Sequence, residues 1–77
     1  MALVRSLFKG TQHIKPHTTE VDCFHQVVID DNGRTLLHLS TFGSDSRASG
    51  PKSSQSLQVD KEIASQLVAL LERTFDL

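Results

Sequence analysis

Val21-Asp22-Cys23-Phe24-His25-Gln26-Val27-Val28-Ile29-Asp30-Asp31-Asn32-Gly33-Arg34-Thr35-Leu36-Leu37-His38-Leu39-Ser40-Thr41-Phe42 reads as two strands folded about one turn. The first run, Thr19 to Ile29, alternates. Val21, Cys23, His25, Val27 and Ile29 lie on one face, and Asp22, Phe24, Gln26 and Val28 on the other. Asp30-Asp31-Asn32-Gly33 is the turn, and its Asn-Gly end suits the positive φ angles of a tight hairpin. Thr35 to Phe42 is the return strand, with Leu37 and Leu39 on one face and Leu36, His38 and Phe42 on the other. Both strands are apolar on both faces, so neither face of the hairpin is expected to be fully solvated.

Downstream, Ser54 to Val59 reads as a third strand in which Gln55, Leu57 and Val59 share a face. Asp60 is a good N-cap, and Glu62 in the next turn suits the positive end of a helix dipole. From Lys61 the apolar set Ile63, Leu67, Leu70, Leu71 and Phe75 has helical spacing, widened by Ala64 and Val68. The stripe is expected to face the sheet, with Ile63, Leu67, Leu70 and Leu71 carrying the contact. Upstream, Ala2 to Lys9 fits a strand or a helical turn. Pro16 makes His13 to His17 an extended connection. The whole reads as a single α+β domain over residues 1–77: an antiparallel three- to four-stranded sheet, a meander, with one C-terminal amphipathic helix packed on one face.

At 77 residues the core is thin, since such a chain buries only roughly 60–65% of its unfolded surface. A two-fold homodimer is therefore expected. The lone Cys23 rules out an internal disulfide, and the opening residues lack a signal peptide's apolar stretch, so the expected setting is cytoplasmic, with no membrane partner. The net charge of −1 hides a segregation. Residues 1–17 carry +3, residues 18–33 carry −4, residues 34–54 carry +2 and residues 55–77 carry −2. There is no general cation excess of the kind strong nonspecific nucleic-acid binding needs.

The long polar run from Thr41 to Gln55 exceeds the two to five residues of an ordinary hairpin connection, and such loops are usually functional or disordered. Arg47 and Lys52 there are placed to pair phosphates, Ser53, Ser54 and Gln55 to donate hydrogen bonds, and Phe42 to offer a stacking face. The competing reading of Gly43 to Arg47 is an Asp45–Arg47 turn that satisfies its own backbone. His13 and His17 flank a proline, and His25 and His38 sit on two strands of one hairpin as candidate cross-strand neighbours. His13 and His17 have a helical metal-ligand spacing, but Pro16 between them argues against a helix, and no motif with recognised ligand spacing is present. Cys23 reads as a buried packing cysteine rather than a nucleophile, because no oxyanion-hole signature accompanies it. No catalytic set, cofactor motif or metal set is legible, so the chain is not expected to be an enzyme.

The run Leu37 to Arg47, then Ser53-Ser54-Gln55-Ser56-Leu57-Gln58, then the helix, resembles a family of small uncharacterised bacterial proteins. Pro16-His17-Thr18-Thr19-Glu20-Val21 extends that likeness over most of the chain. The layout also resembles the positive-cofactor-4-like single-strand-binding coactivators, through Thr35–Thr41, Arg47, Gly50-Pro51-Lys52, Ser56–Val59 and the helix from Lys61. That second likeness implies a dimer formed through the helix and a basic loop for single-stranded nucleic acid. The chain departs from it in having few lysines, no aromatic-rich strand and an acidic first hairpin. Two functions follow as expectations. One is a noncatalytic module for single-stranded nucleic acid or a similar polyanion. The other is a protein-interaction or assembly module working through the helix and an open sheet edge.

Overall fold

The computed structural model describes residues 1–42 and 53–77. Four strands and one helix follow in the order β1 (Ala2–Leu3), β2 (Cys23–Ile29), β3 (Thr35–Phe42), β4 (Ser53–Val59) and α1 (Lys61–Phe75). The fold is α+β. The strands form one open, mixed sheet in the spatial order β1-β4-β3-β2. Its meander is β2–β3–β4, antiparallel throughout. The departure from a simple meander is β1, which lies parallel to β4 at the far edge with Ala2 opposite Leu57 and Leu3 opposite Gln58. The Val4 N–H continues that pairing to the Gln58 carbonyl at 2.9 Å, which settles the N-terminal ambiguity in favour of a short strand.

The β2–β3 hairpin closes through a turn in which the Gly33 N–H donates to the Asp30 carbonyl and the Asp30 N–H to the Arg34 carbonyl, both at 3.0 Å. Among the turn residues only Gly33 takes a positive φ, 81°, so Asn32 stays on the ordinary side and the glycine alone supplies the left-handed step. Asp30 locks the turn from its side chain. Its Oδ1 accepts from the Asn32 N–H at 2.9 Å and the Arg34 N–H at 2.8 Å, and its Oδ2 from Arg34 Nε at 3.1 Å. Strand β2 begins at Cys23, four residues later than the sequence pattern suggests. Its partner β3 ends at Phe42, whose N–H reaches the Asp22 carbonyl at 3.3 Å.

Helix α1 starts where the sequence puts it. Asp60 Oδ1 accepts from the Ile63 N–H at 2.9 Å, and Asp60 Oδ2 meets Arg34 Nη1 at 3.3 Å. The buried apolar side chains among the described residues are Leu36, Val59 and Ile63, each at most 5% exposed. They lie at the sheet end nearest the cap, with Leu36 and Val59 on opposite faces of the sheet. The burial of the helix is concentrated in its first two turns. Ile63 is buried and Ala64 and Leu67 are half-buried, whereas Leu70 and Leu71 are exposed, against the expectation that both would face the sheet. The reason is the connection. A single residue, Asp60, joins β4 to α1, and its cap and ion pair set the helix direction at the sheet's end.

The surface shows the consequence. The chain exposes 7129 Å². A compact 8.5 kDa monomer would expose about 4,700 Å². Residues 5–22, all exposed and outside any strand or helix, contribute to the difference. The radius of gyration, 14.8 Å, compares with about 11.5 Å for a compact chain of this length.

Candidate functional site

The register sorts the sheet into two faces. On the first, Phe24, Gln26 and Val28 of β2 stand beside Ser40, His38 and Leu36 of β3, and these beside Ser56 and Gln58 of β4. This face is mixed in character. His38 Nδ1 and Gln58 Nε2 lie 3.0 Å apart in a cross-strand hydrogen bond, and Ser40 is buried. At its far end Phe24 and Phe42 meet edge to face, with ring centroids 4.8 Å apart and planes at 74°. Phe42 is half-buried, whereas Phe24 stays 55% exposed.

The second face is the more apolar one, and apart from buried Val59 and half-buried Leu39 and Thr41 its residues are exposed. Val27 stands opposite Leu37 and Leu37 opposite Val59; His25 stands opposite Leu39 and Leu39 opposite Leu57. Val27 is 70% exposed, and Ile29, Leu37 and Leu57 are exposed as well. On the helix, Val68, Leu71 and Phe75 form a ridge at i, i+3 and i+7, all exposed. The neighbouring side of α1 is met by the chain's own N-terminal segment, where Leu7, Phe8 and Lys9 line a groove with Gln66, Ala69, Leu70 and Arg73.

The sequence-derived candidates divide among these places. Arg47 and Lys52 lie outside the described residues. Ser54 belongs to β4. Gln55 is exposed on β4 and pairs with Thr41, on the opposite face from Phe42. A register shift between Thr41 and Phe42 then sets Phe42 opposite Ser53. So the structure brings Phe42 together with Phe24, and separates it by face from Gln55. His25 and His38 are not neighbours: His25 pairs with Leu39 and His38 with Gln26, which puts the two rings on opposite faces. Cys23 is exposed rather than buried, because it lies on the exposed part of the second face. Among the described residues no group of three or more His, Cys, Asp or Glu is placed to hold a metal ion. Among them too, no helix is long and apolar enough to cross a membrane.

Sequence reasoning passed over Arg34. Its guanidinium bridges Asp30 at 3.1 Å and Asp60 at 3.3 Å, tying the hairpin turn to the helix cap. The available signal was an arginine four residues after an aspartate across a turn. The Arg34 backbone N–H is the main cause that holds the Asp30 carboxyl below its usual value, aided by the Asn32 N–H and the guanidinium and opposed by desolvation. A shallow groove lined by Leu3, Val4, Arg5, Ser6, Arg34 and Asp60 lies here. Arg5 therefore sits at the opposite end of the sheet from Phe42 and Ser53, the strand ends between which residues 43–52 run.

Comparison with known proteins finds no matching family model, no matching curated protein and no matching solved structure.

Proposed function

We infer that this chain is a noncatalytic protein-interaction module whose work is assembly. The observation that carries the reading is the pairing, in one small chain, of apolar sheet residues left exposed at Val27, Ile29, Leu37 and Leu57 with an exposed helix ridge at Val68, Leu71 and Phe75. Isolated exposed hydrophobic residues are ordinary; contiguous rows across three strands mark contact surfaces. A single sheet layer with a helix touching only its end lacks the second layer that domains need. Charge supports the same choice. A nucleic-acid surface calls for cations gathered on one face, yet Arg5 lies by the Arg34–Asp60 pair and Lys9 by the helix. The test is sedimentation velocity at micromolar concentration together with binding of an apolar-surface dye. Association, or a single-chain mass with strong dye binding, supports the module. A single-chain mass with no dye binding overturns it.

A second reading, contact with single-stranded nucleic acid, is favoured by one observation: the exposed Phe24 ring beside Phe42 at the sheet end that receives residues 43–52. Such a ring is a stacking platform for a base, with Arg47 and Lys52 as phosphate partners. Titration of labelled single- and double-stranded oligonucleotides at low and high salt tests it. Preference for the single strand, lost on Phe24→Ala and weakened by salt, supports it; absence of binding at low salt removes it.

A further inference from the structure

Resting on the protein-interaction reading, we propose that the free edge of β2 takes an extended peptide of a partner protein by strand addition, a segment β-branched at its centre with lysine or arginine at both ends. The spatial order β1-β4-β3-β2 leaves β2 with β3 as its one neighbour. Hydrogen bonds at the two ends of the hairpin fix which backbone groups that neighbour uses. The Asp30 N–H donates to the Arg34 carbonyl and the Phe42 N–H to the Asp22 carbonyl, and the register between these pairs runs without a shift. An antiparallel ladder alternates, so Phe24, Gln26 and Val28 turn their backbone groups to β3 as Asp22 and Asp30 do. Cys23, His25, Val27 and Ile29 therefore aim their N–H and carbonyl groups outward, and no described segment pairs with them. Edge strands are ordinarily blunted by charge, proline or a bulge, and Cys23–Ile29 has none of these. Its outward backbone is a template for an added strand, and its side chains supply neighbours on both faces: Val27 and Ile29 on one, Phe24 on the other, all exposed.

Charge selects the occupant. Glu20 and Asp22 precede the strand and Asp31 follows it, all exposed. Among the described residues the ion pairs are those of Arg34 with Asp30 and Asp60, so these three carboxylates have no ion-pair partner there. A second copy of β2, laid antiparallel, would bring Glu20 and Asp22 against Asp30 and Asp31, like charge on like. A peptide with basic ends meets both acidic ends of the strand with opposite charge.

The experiment titrates the full chain into a fluorescent probe peptide, Lys-Lys-Thr-Val-Thr-Val-Thr-Lys-Lys, and into the same peptide with glutamate for every lysine. The lysine peptide should bind at least about tenfold more tightly at low salt, and the gap should narrow as salt rises. Two further lysine peptides carry N-methyl groups on alternate residues of the centre. One set of those N–H groups faces β2 and the other faces away, so one methylated peptide should bind like the parent and the other lose at least about tenfold. On the protein, Val27→Pro removes an outward N–H and leaves the ladder to β3 intact, and it should weaken binding by a similar factor. Should that variant not fold, the methylated peptides carry the same test on the wild type. Equal effects of the two methylation patterns, equal binding of the lysine and glutamate peptides, or no binding of the lysine peptide overturns the proposal. A two-chain mass that Val27→Pro abolishes also overturns it, because the edge then belongs to a second copy. Failure of the peptide alongside association or strong dye binding leaves the protein-interaction reading standing; failure alongside a single-chain mass and no dye binding removes both.

Discussion

Asp60 joins three parts of the fold, and replacing it measures how they are tied. Its Oδ1 caps the helix through the Ile63 N–H at 2.9 Å, and its Oδ2 meets Arg34 at 3.3 Å. Losing an N-cap side chain costs about 1 kcal/mol, within a range of about 0.5–2. The ion pair is worth less, because the Arg34 side chain is 50% exposed and the Asp60 side chain 22%. Pairs of this kind give about 0.2–1 kcal/mol. Asp60→Ala should therefore destabilise by about 1–2 kcal/mol. Asn caps nearly as well as Asp but carries no charge, so Asp60→Asn should lose only the pair's share, below about 1 kcal/mol. Urea denaturation at one fixed chain concentration reads both, and the concentration must be held because association would shift the midpoint. A double-mutant cycle with Arg34→Ala isolates the pair from the cap. If Asp60→Asn costs as much as Asp60→Ala, the cap is not what orients the helix, and the account of its direction fails.

Other substitutions test the turn and the core. Gly33→Ala should cost about 1–2 kcal/mol from backbone strain alone, since φ is +81° and open space surrounds the added methyl; an unchanged urea midpoint would show that the turn relaxes to another form. Ile63→Ala should cost about 2–4 kcal/mol as a buried deletion, and Leu67→Ala, half-buried, clearly less; equal losses in matched denaturation curves would place the helix deeper on the sheet than described. Asp30 makes stability sensitive to acid. Its folded pKa is lowered, so its contribution is present above the unfolded value, about 3.9, and fades as pH falls through the lower folded value. Stability measured down a pH series should drop less steeply in that acid range for Asp30→Asn than for the wild type; parallel curves would remove the role assigned to this carboxylate.

The central strand and the helix start were legible because local chemistry sets them. Thr35–Phe42 alternates between two turn signals, and Asp60 stands directly before the periodic apolar run. What needed the fold were properties set by partners. Strand β2 pairs with β3 from Cys23 to Ile29, so Thr19 to Asp22 pattern as strand without belonging to one. Strand β1 is two residues long, too short for any periodicity, and exists because Val4 and its neighbours find the β4 edge. The relation between His25 and His38 depends on register, and a shift of one residue decides whether two side chains share a face. Of the candidate site, Phe42 was readable as a platform, but its neighbour Phe24 emerges only when Ser40 pairs with Phe24 and brings the rings together.

The helix shows most clearly what an apolar pattern encodes. Ile63, Leu67, Leu70, Leu71, Phe75 and Val68 form one wide stripe, and periodicity establishes that it is to be covered. It does not say by which chain. That choice lies in the connection, where one capped and ion-paired residue replaces a loop. A longer link would let more of the stripe fold back over its own strands; the short link leaves the stripe beyond Leu67 and much of the sheet face exposed. Lengthening it is therefore informative. Inserting Gly-Ser-Gly between Val59 and Asp60 keeps the cap and frees the helix, and it should let the helix cover more of its own sheet, so that the chain binds less apolar dye. An insertion variant that binds as much dye as the wild type would show that the connection is not what holds helix and sheet apart.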